Sequence, residues 1–234
     1  VRDASQQARW LEALAAAPGP AVLAFANAHA LNLAARDEDF FRHLAAADHL
    51  ARDGQGMAWL MRLQGRDPGL NLNGTDLIPQ LLQRHAGGRI ALLGTREPWL
   101  SRAAQAVRRL APGCDCLAVD GFQPLATYLR AVERQSPSLV VLGMGMPRQE
   151  AVAQALRASL QPDVPCLIVC GGAILDFLAG RVPRAPRILR RLGLEWAWRL
   201  AREPRRLFVR YVIGNPVFLA RALRLPRDSS AARP

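Results

Sequence analysis

Lysine is missing from this chain: all 31 of its basic side chains of the Lys and Arg type are arginine. A phosphate-loop lysine, a Schiff-base lysine and a lysine general base are therefore excluded. Long apolar runs are missing too. No stretch reaches 18 uninterrupted apolar residues, so no transmembrane helix is expected, and no signal peptide is read. Low-complexity tracts are also absent, which argues against a disordered scaffold. Cysteine is sparse, at four in 234 residues. Cys114 and Cys116 lie in CDCLAV, Cys166 and Cys170 in CLIVC, and neither spacing fits a zinc ribbon. Free core thiols in a reducing cytoplasm are expected, with no metal site and no cofactor.

What is present is half apolar and unevenly charged. Residues 181–234 hold 14 arginines against Glu195, Glu203 and Asp228, so the formal +12 of the chain divides into +11 there and +1 before it. That end is not a solvated tail, because Leu192, Trp196, Trp198, Leu207, Phe208 and Tyr211 run through it. Arginine mixed with aromatic and aliphatic residues at helical spacing suits an anionic membrane surface. Two other readings stay open: a helical end packed on the core with a basic outer face, and a nonenzymatic module binding membrane or nucleic acid. Nucleic acid is the least favoured partner.

Five apolar, β-rich runs recur at 21–26, 89–94, 116–119, 138–143 and 165–171, separated by helical patterns near 27–47, 54–64, 75–86, 97–110, 123–135 and 147–160. This alternation predicts an α/β, Rossmann-like, mainly parallel sheet flanked by helices. Residues 1–186 are assigned to the catalytic domain and 187–234 to a basic amphipathic appendage. In such sheets ligands bind beyond the carboxyl ends of the strands.

The loops at those ends carry the informative residues. Gly143-Met144-Gly145-Met146-Pro147-Arg148-Gln149-Glu150 follows a strand and opens a helix, an arrangement suited to phosphate. It is not a dinucleotide fingerprint, because Arg148 stands where the last glycine is required, so a nicotinamide oxidoreductase is disfavoured. Asp53, before Gly54, is either a helix cap or a general base at the mouth of the sheet. Asn73 and Thr75 form either a capped turn or a polar patch facing a sugar. His29 follows the first strand and can line the site, whereas His43, His49 and His85 read as surface or capping residues.

Asn27, Asp53-Gly54, Asn73-Gly74-Thr75-Asp76-Leu77, the Gly143–Glu150 block and Gly171-Gly172-x3-Asp176 occur in one order. Arg184-Ala185-Pro186 and Gly193-Leu194-Glu195-Trp196-x2-Arg199-Leu200-x2-Glu203-Pro204-x-Arg206 follow. Together these blocks resemble the WecG/TagA/CpsF family of glycosyltransferases, from about residue 20 to 212. The resemblance implies an inverting, metal-independent enzyme that moves a sugar from a UDP-sugar to a polyprenyl-diphosphate-linked sugar. It implies peripheral attachment to the cytoplasmic face of a bacterial inner membrane.

It also implies Asp53 as base, Gln149 as a catalytic-site contact to substrate, and Asn27 in the same pocket. Arginines of the appendage, Arg199 and Arg206 among them, are expected near phosphates. Gly94, Thr95, Gly121, Phe122 and Gln123 are expected to complete the nucleotide pocket with Gly143, Gly145, Met146 and Pro147. Phe25 and Asn71 replace a threonine and an arginine common in relatives. The NLNGTDLIP block resembles more closely the branch that adds glucose in xanthan-type exopolysaccharide assembly, and that resemblance implies glucose as the sugar. N-acetylmannosamine or its uronic acid is the alternative.

Overall fold

A computed structural model describes residues 1–225, with the side chains of Arg187, Arg191 and Arg206 outside the description. The last nine residues of the expected appendage therefore lie outside the described residues. Six strands, β1 (Pro20–Ala26), β2 (His49–Arg52), β3 (Arg89–Gly94), β4 (Asp115–Val119), β5 (Leu139–Gly143) and β6 (Cys166–Cys170), make one sheet. Its order is β2-β1-β6-β5-β3-β4 and every neighbouring pair is parallel.

The continuous apolar strands are buried on both faces, as a helix-covered parallel sheet requires. Leu23, Phe25, Leu92, Val141 and Val169 point to one face. There they meet α1 (Ala4–Ala15), α5 (Gly74–Arg84), α6 (Trp99–Leu110) and α9 (Ile174–Leu178). Val22, Ala24, Val140, Leu142 and Ile168 point to the other. That face is covered by α2 (Ala28–Ala34), α3 (Glu38–Ala45), α7 (Leu125–Gln135) and α8 (Arg148–Ser159). The chain leaves β5 and β1 toward one face but leaves β6, between them, toward the other. The loops diverge at that point and open a crevice, the usual ligand site of such sheets.

Four local features depart from the sequence pattern. The single helical stretch read at 27–47 is two helices, because the Asp37 side chain accepts a hydrogen bond from the Phe40 amide at 2.9 Å and starts α3 afresh. The sixth strand, β2, is only four residues long at the sheet edge, too short to show a period. The first helix, α1, lies ahead of the first apolar run and was not expected. His85, read as a surface or capping residue, follows α5 as its C-cap but is buried, with Nδ1 3.0 Å from Ser138 Oγ.

Beyond Gly180 come α10 (Arg187–Arg191), α11 (Glu195–Arg202), α12 (Pro204–Phe208), a π-helical turn (Val209–Ile213) and, after it, α13 (Gly214–Arg224). A clasp holds the start of this segment to the domain: Arg184 donates to Asp76 at 2.5 Å, with Arg190 at 3.8 Å. Burial pushes the Asp76 carboxyl up, but hydrogen bonds from Asn73 and Arg184 outweigh it and hold the pKa below the usual value. The far end returns to the domain. Phe218 and Ala222 are buried against Leu60, and the Asn32 amide donates to the Gly214 carbonyl at 2.6 Å. Arg221 donates to both the backbone and side-chain oxygens of Asn32 at 3.0 Å. Between these anchors Ile188, Leu192, Trp196, Phe208 and Val209 are exposed. No helix among the described residues is long and apolar enough to cross a membrane.

Candidate functional site

The crevice is a cleft of ≈ 550 Å³ over the carboxyl ends of β1, β2, β5 and β6, closed on one side by the C-terminal helices. Asn27 follows the last residue of β1 and caps α2 by accepting from the Ala30 amide at 3.0 Å. Its amide nitrogen donates to Asp53 Oδ2 at 3.3 Å. The Asp53 backbone N–H donates to the Ala26 carbonyl at 2.8 Å, so the β1–β2 pairing aims this carboxylate into the cleft. Asp53 is not a helix cap. That position belongs to Gly54, and no side chain caps α4 (Gln55–Leu63). Arg52 secures the turn by donating to the carbonyls of Gly54 and Pro68, both at 2.9 Å, and Asn71 accepts from the Gly54 amide at 2.8 Å.

Burial raises the Asp53 pKa above the ordinary carboxylate value, while the Asn27 hydrogen bond and the charges of Arg210, Arg199 and Arg52 oppose the shift. His29 is pushed down to about 4, first by burial and then by Arg210 and Arg36, so it is neutral at pH 7. Arg36, Arg199, Arg210 and Arg221 line the cleft against two acids, Asp53 and Asp176. A half-enclosed site with that balance favours an anion. Among the described residues, no group of three or more His, Cys, Asp or Glu side chains could hold a metal ion.

The opposite wall is built from two loops joined by one side chain. Gln149 is 1% exposed, and its Oε1 accepts from the Gly145 amide at 3.2 Å and the Gly172 amide at 2.9 Å. Its Nε2 donates to Glu150 at 2.8 Å. Gly145 and Gly172 both take left-handed backbone angles, φ +80° and +60°, which only glycine adopts at little cost. The expected substrate contact of Gln149 is thus met by an amide already committed to the protein's own backbone.

The expected residues divide. Asn27, His29, Asp53, Thr75, Gly143, Gly145, Met146, Gln149 and Arg199 line the cleft. Asn73 does not; its side chain accepts from the Asp76 amide and starts α5, which is the capping alternative. Pro147 precedes α8 outside the lining, and Arg148 turns away to the Gln123 carbonyl at 2.6 Å. Gly94 and Gly121 pack backbone to backbone: a Cβ on Gly121 would stand 2.9 Å from the Gly94 Cα. Phe122 is 63% exposed under the Arg96 guanidinium, and the Gln123 amide is held by Tyr128. Thr95 is buried and donates to Asp176 at 2.7 Å, which links the β3 end to the cleft indirectly. The Arg206 side chain lies outside the described residues. Sequence reading missed Asn32 and Arg36, which sit on a helical pattern that looks like an ordinary solvated face, and did not single out Arg221 among the arginines of the basic appendage.

Comparison with known proteins finds relatives of one kind. The sequence model of the "Glycosyl transferase WecG/TagA/CpsF family" matches residues 2–231. An N-acetylglucosaminyldiphosphoundecaprenol N-acetyl-beta-D-mannosaminyltransferase of Bacillus subtilis (strain 168) is 27% identical over 188 residues, covering 79% of this chain and 72% of its own. A protein of the same name from Staphylococcus aureus (strain MW2) is 23% identical over 212 residues, covering 89% and 82%.

Proposed function

The chain belongs to the WecG/TagA/CpsF family of glycosyl transferases, and on that premise we propose that it moves a hexose from a UDP-sugar to a sugar carried on a polyprenyl diphosphate. The observation that carries this reading is Asp53, a shielded carboxylate facing a cleft with four arginines. Asp53 takes the proton of the acceptor hydroxyl as that oxygen bonds to the anomeric carbon. The bond from that carbon to the UDP oxygen breaks on the opposite side, and the diphosphate leaves with the electron pair. A base whose pKa sits nearer the working pH transfers protons more effectively, and such transfer is worth about 10²–10⁴-fold. The departing charge is met by Arg199 and Arg210 and by the amino-terminal end of α8, beside Met146 and Gln149.

Two features support a lipid-linked acceptor reached at the cytoplasmic face of a bacterial membrane. The relatives are named for an undecaprenol-diphosphate sugar. The C-terminal helices expose Ile188, Leu192, Trp196 and Phe208 beside arginines, a surface suited to headgroups, where each basic residue adds about 1 kcal/mol. For the donor, the NLNGTDLIP block favours glucose. The relatives' names favour N-acetylmannosamine as a second reading.

The test is turnover of a UDP-sugar panel with a short polyprenyl-diphosphate sugar, in EDTA and in magnesium. Transfer of one hexose in EDTA, lost in Asp53→Asn, is expected. A folded Asp53→Asn protein at near-full rate would overturn the base assignment, and strict dependence on metal would overturn the arginine-based departure of UDP.

A further inference from the structure

The Gln149 amide has one orientation that satisfies its surroundings. Its oxygen faces two backbone donors, Gly145 and Gly172, and its nitrogen faces two acceptors, Glu150 Oε1 at 2.8 Å and the Cys170 carbonyl at 3.5 Å. Turned over, the NH2 group would meet two N–H groups and the oxygen two acceptors. Glu150 can select between these states. It lies in the first turn of α8, is 1% exposed, and does not line the cleft. Its Oε2 is shielded and has no hydrogen-bond partner. An ionised carboxylate only accepts, so it holds the Gln149 nitrogen toward itself. A protonated one also donates and tolerates the turned-over amide.

We propose that Glu150 is a positioning residue: in its ionised form it locks the Gln149 amide as acceptor for both glycine loops, and so fixes the wall of the cleft. Its effect on turnover rests on the transferase reading, whereas the lock itself does not. The lock is proton-sensitive. Burial pushes Glu150 up to about 6, against the hydrogen bonds from Gln149 and its own backbone amide, and no charged side chain is among the causes. The titratable group facing it is the Cys170 thiol on β6, itself raised well above its ordinary value by burial first and by Glu150 second. Ionised Glu150 predominates above about pH 6 and the protonated form below it. The lock therefore weakens as pH falls through about 6.

Nuclear magnetic resonance on the whole ¹⁵N-labelled chain reads this without any substrate. The backbone amides of Gly145 and Gly172 and the side-chain amide of Gln149 should shift together between pH 8 and 5, with a midpoint near 6. The transition should vanish in Glu150→Gln and persist in Asp53→Asn, which separates it from titration of the base. With UDP-sugar, Glu150→Gln should lose the matching limb of the rate profile and run several-fold slower at pH 7.5. Absence of the transition in the wild-type protein, or its survival in Glu150→Gln, overturns the proposal. The wild-type titration decides alone if the variant does not fold. Failure to bind any UDP-sugar would count against the transferase reading while leaving the glycine titration readable.

Discussion

Replacing Gln149 with leucine keeps the side chain's bulk and removes its hydrogen bonding. Four groups lose a partner: the amides of Gly145 and Gly172, Glu150 Oε1 and, through a longer bond of 3.5 Å, the Cys170 carbonyl. Leaving a buried polar group unsatisfied costs about 1–3 kcal/mol. The two glycines are only half-buried, so water can reach part of each amide and their cost belongs at the low end. Glu150 is fully shielded and answers by taking up a proton, which trades the lost bond for a raised pKa. A total of about 2–4 kcal/mol follows. For a chain of this size that is a fall in Tm of roughly 5–15 °C, at about 2–4 °C per kcal/mol. Urea unfolding followed by tryptophan fluorescence measures the free energy, and calorimetry with UDP measures the cleft. The variant should fold, unfold earlier, and bind UDP more weakly, because the two loops are no longer held together. Wild-type stability in Gln149→Leu would refute the idea that this amide joins the walls. Lost UDP binding without lost stability would instead return Gln149 to the direct substrate contact expected from sequence.

Asp53→Asn should lower turnover by about 100-fold or more. It should also raise Tm above pH 7, because a carboxyl whose folded pKa is raised contributes stability at low pH that is lost as pH rises through that pKa. An unchanged Tm at pH 8 would show the carboxylate to be better solvated than its burial indicates. Arg199 stacks over Phe177 at 5.5 Å and its Nε has no hydrogen-bond partner, so Arg199→Ala should weaken binding of UDP or of the lipid diphosphate by about 10-fold or more. Equal affinities would remove it from the site. Phe218→Ala should cost about 3–4 kcal/mol at the contact with Leu60 and make the chain near 209–225 sensitive to protease, with the sheet domain melting nearly as before. Unaltered proteolysis would mean that Asn32 and Arg221 suffice to hold α13.

The sheet was legible because its strands are buried on both faces. Continuous runs such as AVLAFA and CLIVC have no other stable place in a chain of this length. β2 was not legible, since half-exposed HLAR at an edge carries no period, yet it positions Asp53. The cleft residues that lie just past strand ends, Asn27, Asp53 and the Gly143–Gln149 block, could be found because topology puts such loops together. Gly94, Gly121 and Asn73 stand at equivalent places but serve close packing and capping, a distinction that composition cannot make. Arg36 was missed, and Arg221 not singled out, for a different reason. Each becomes a cleft residue only when α13 folds back across α2, and that contact spans almost 190 positions of sequence.

Helix α2 has a mechanical consequence of its own. At seven residues it is a short rigid rod, gripped at both ends by unlike partners. One end carries Asn27, which touches the base; one turn further, Asn32 is held by Gly214 and Arg221 of the C-terminal helix. Lifting that helix must pull on the rod or break three hydrogen bonds, and pulling on the rod displaces the amide that steadies Asp53. The roof of the cleft and the aim of its carboxylate are therefore geared together, so neither can be reset by evolution or by design without retuning the other.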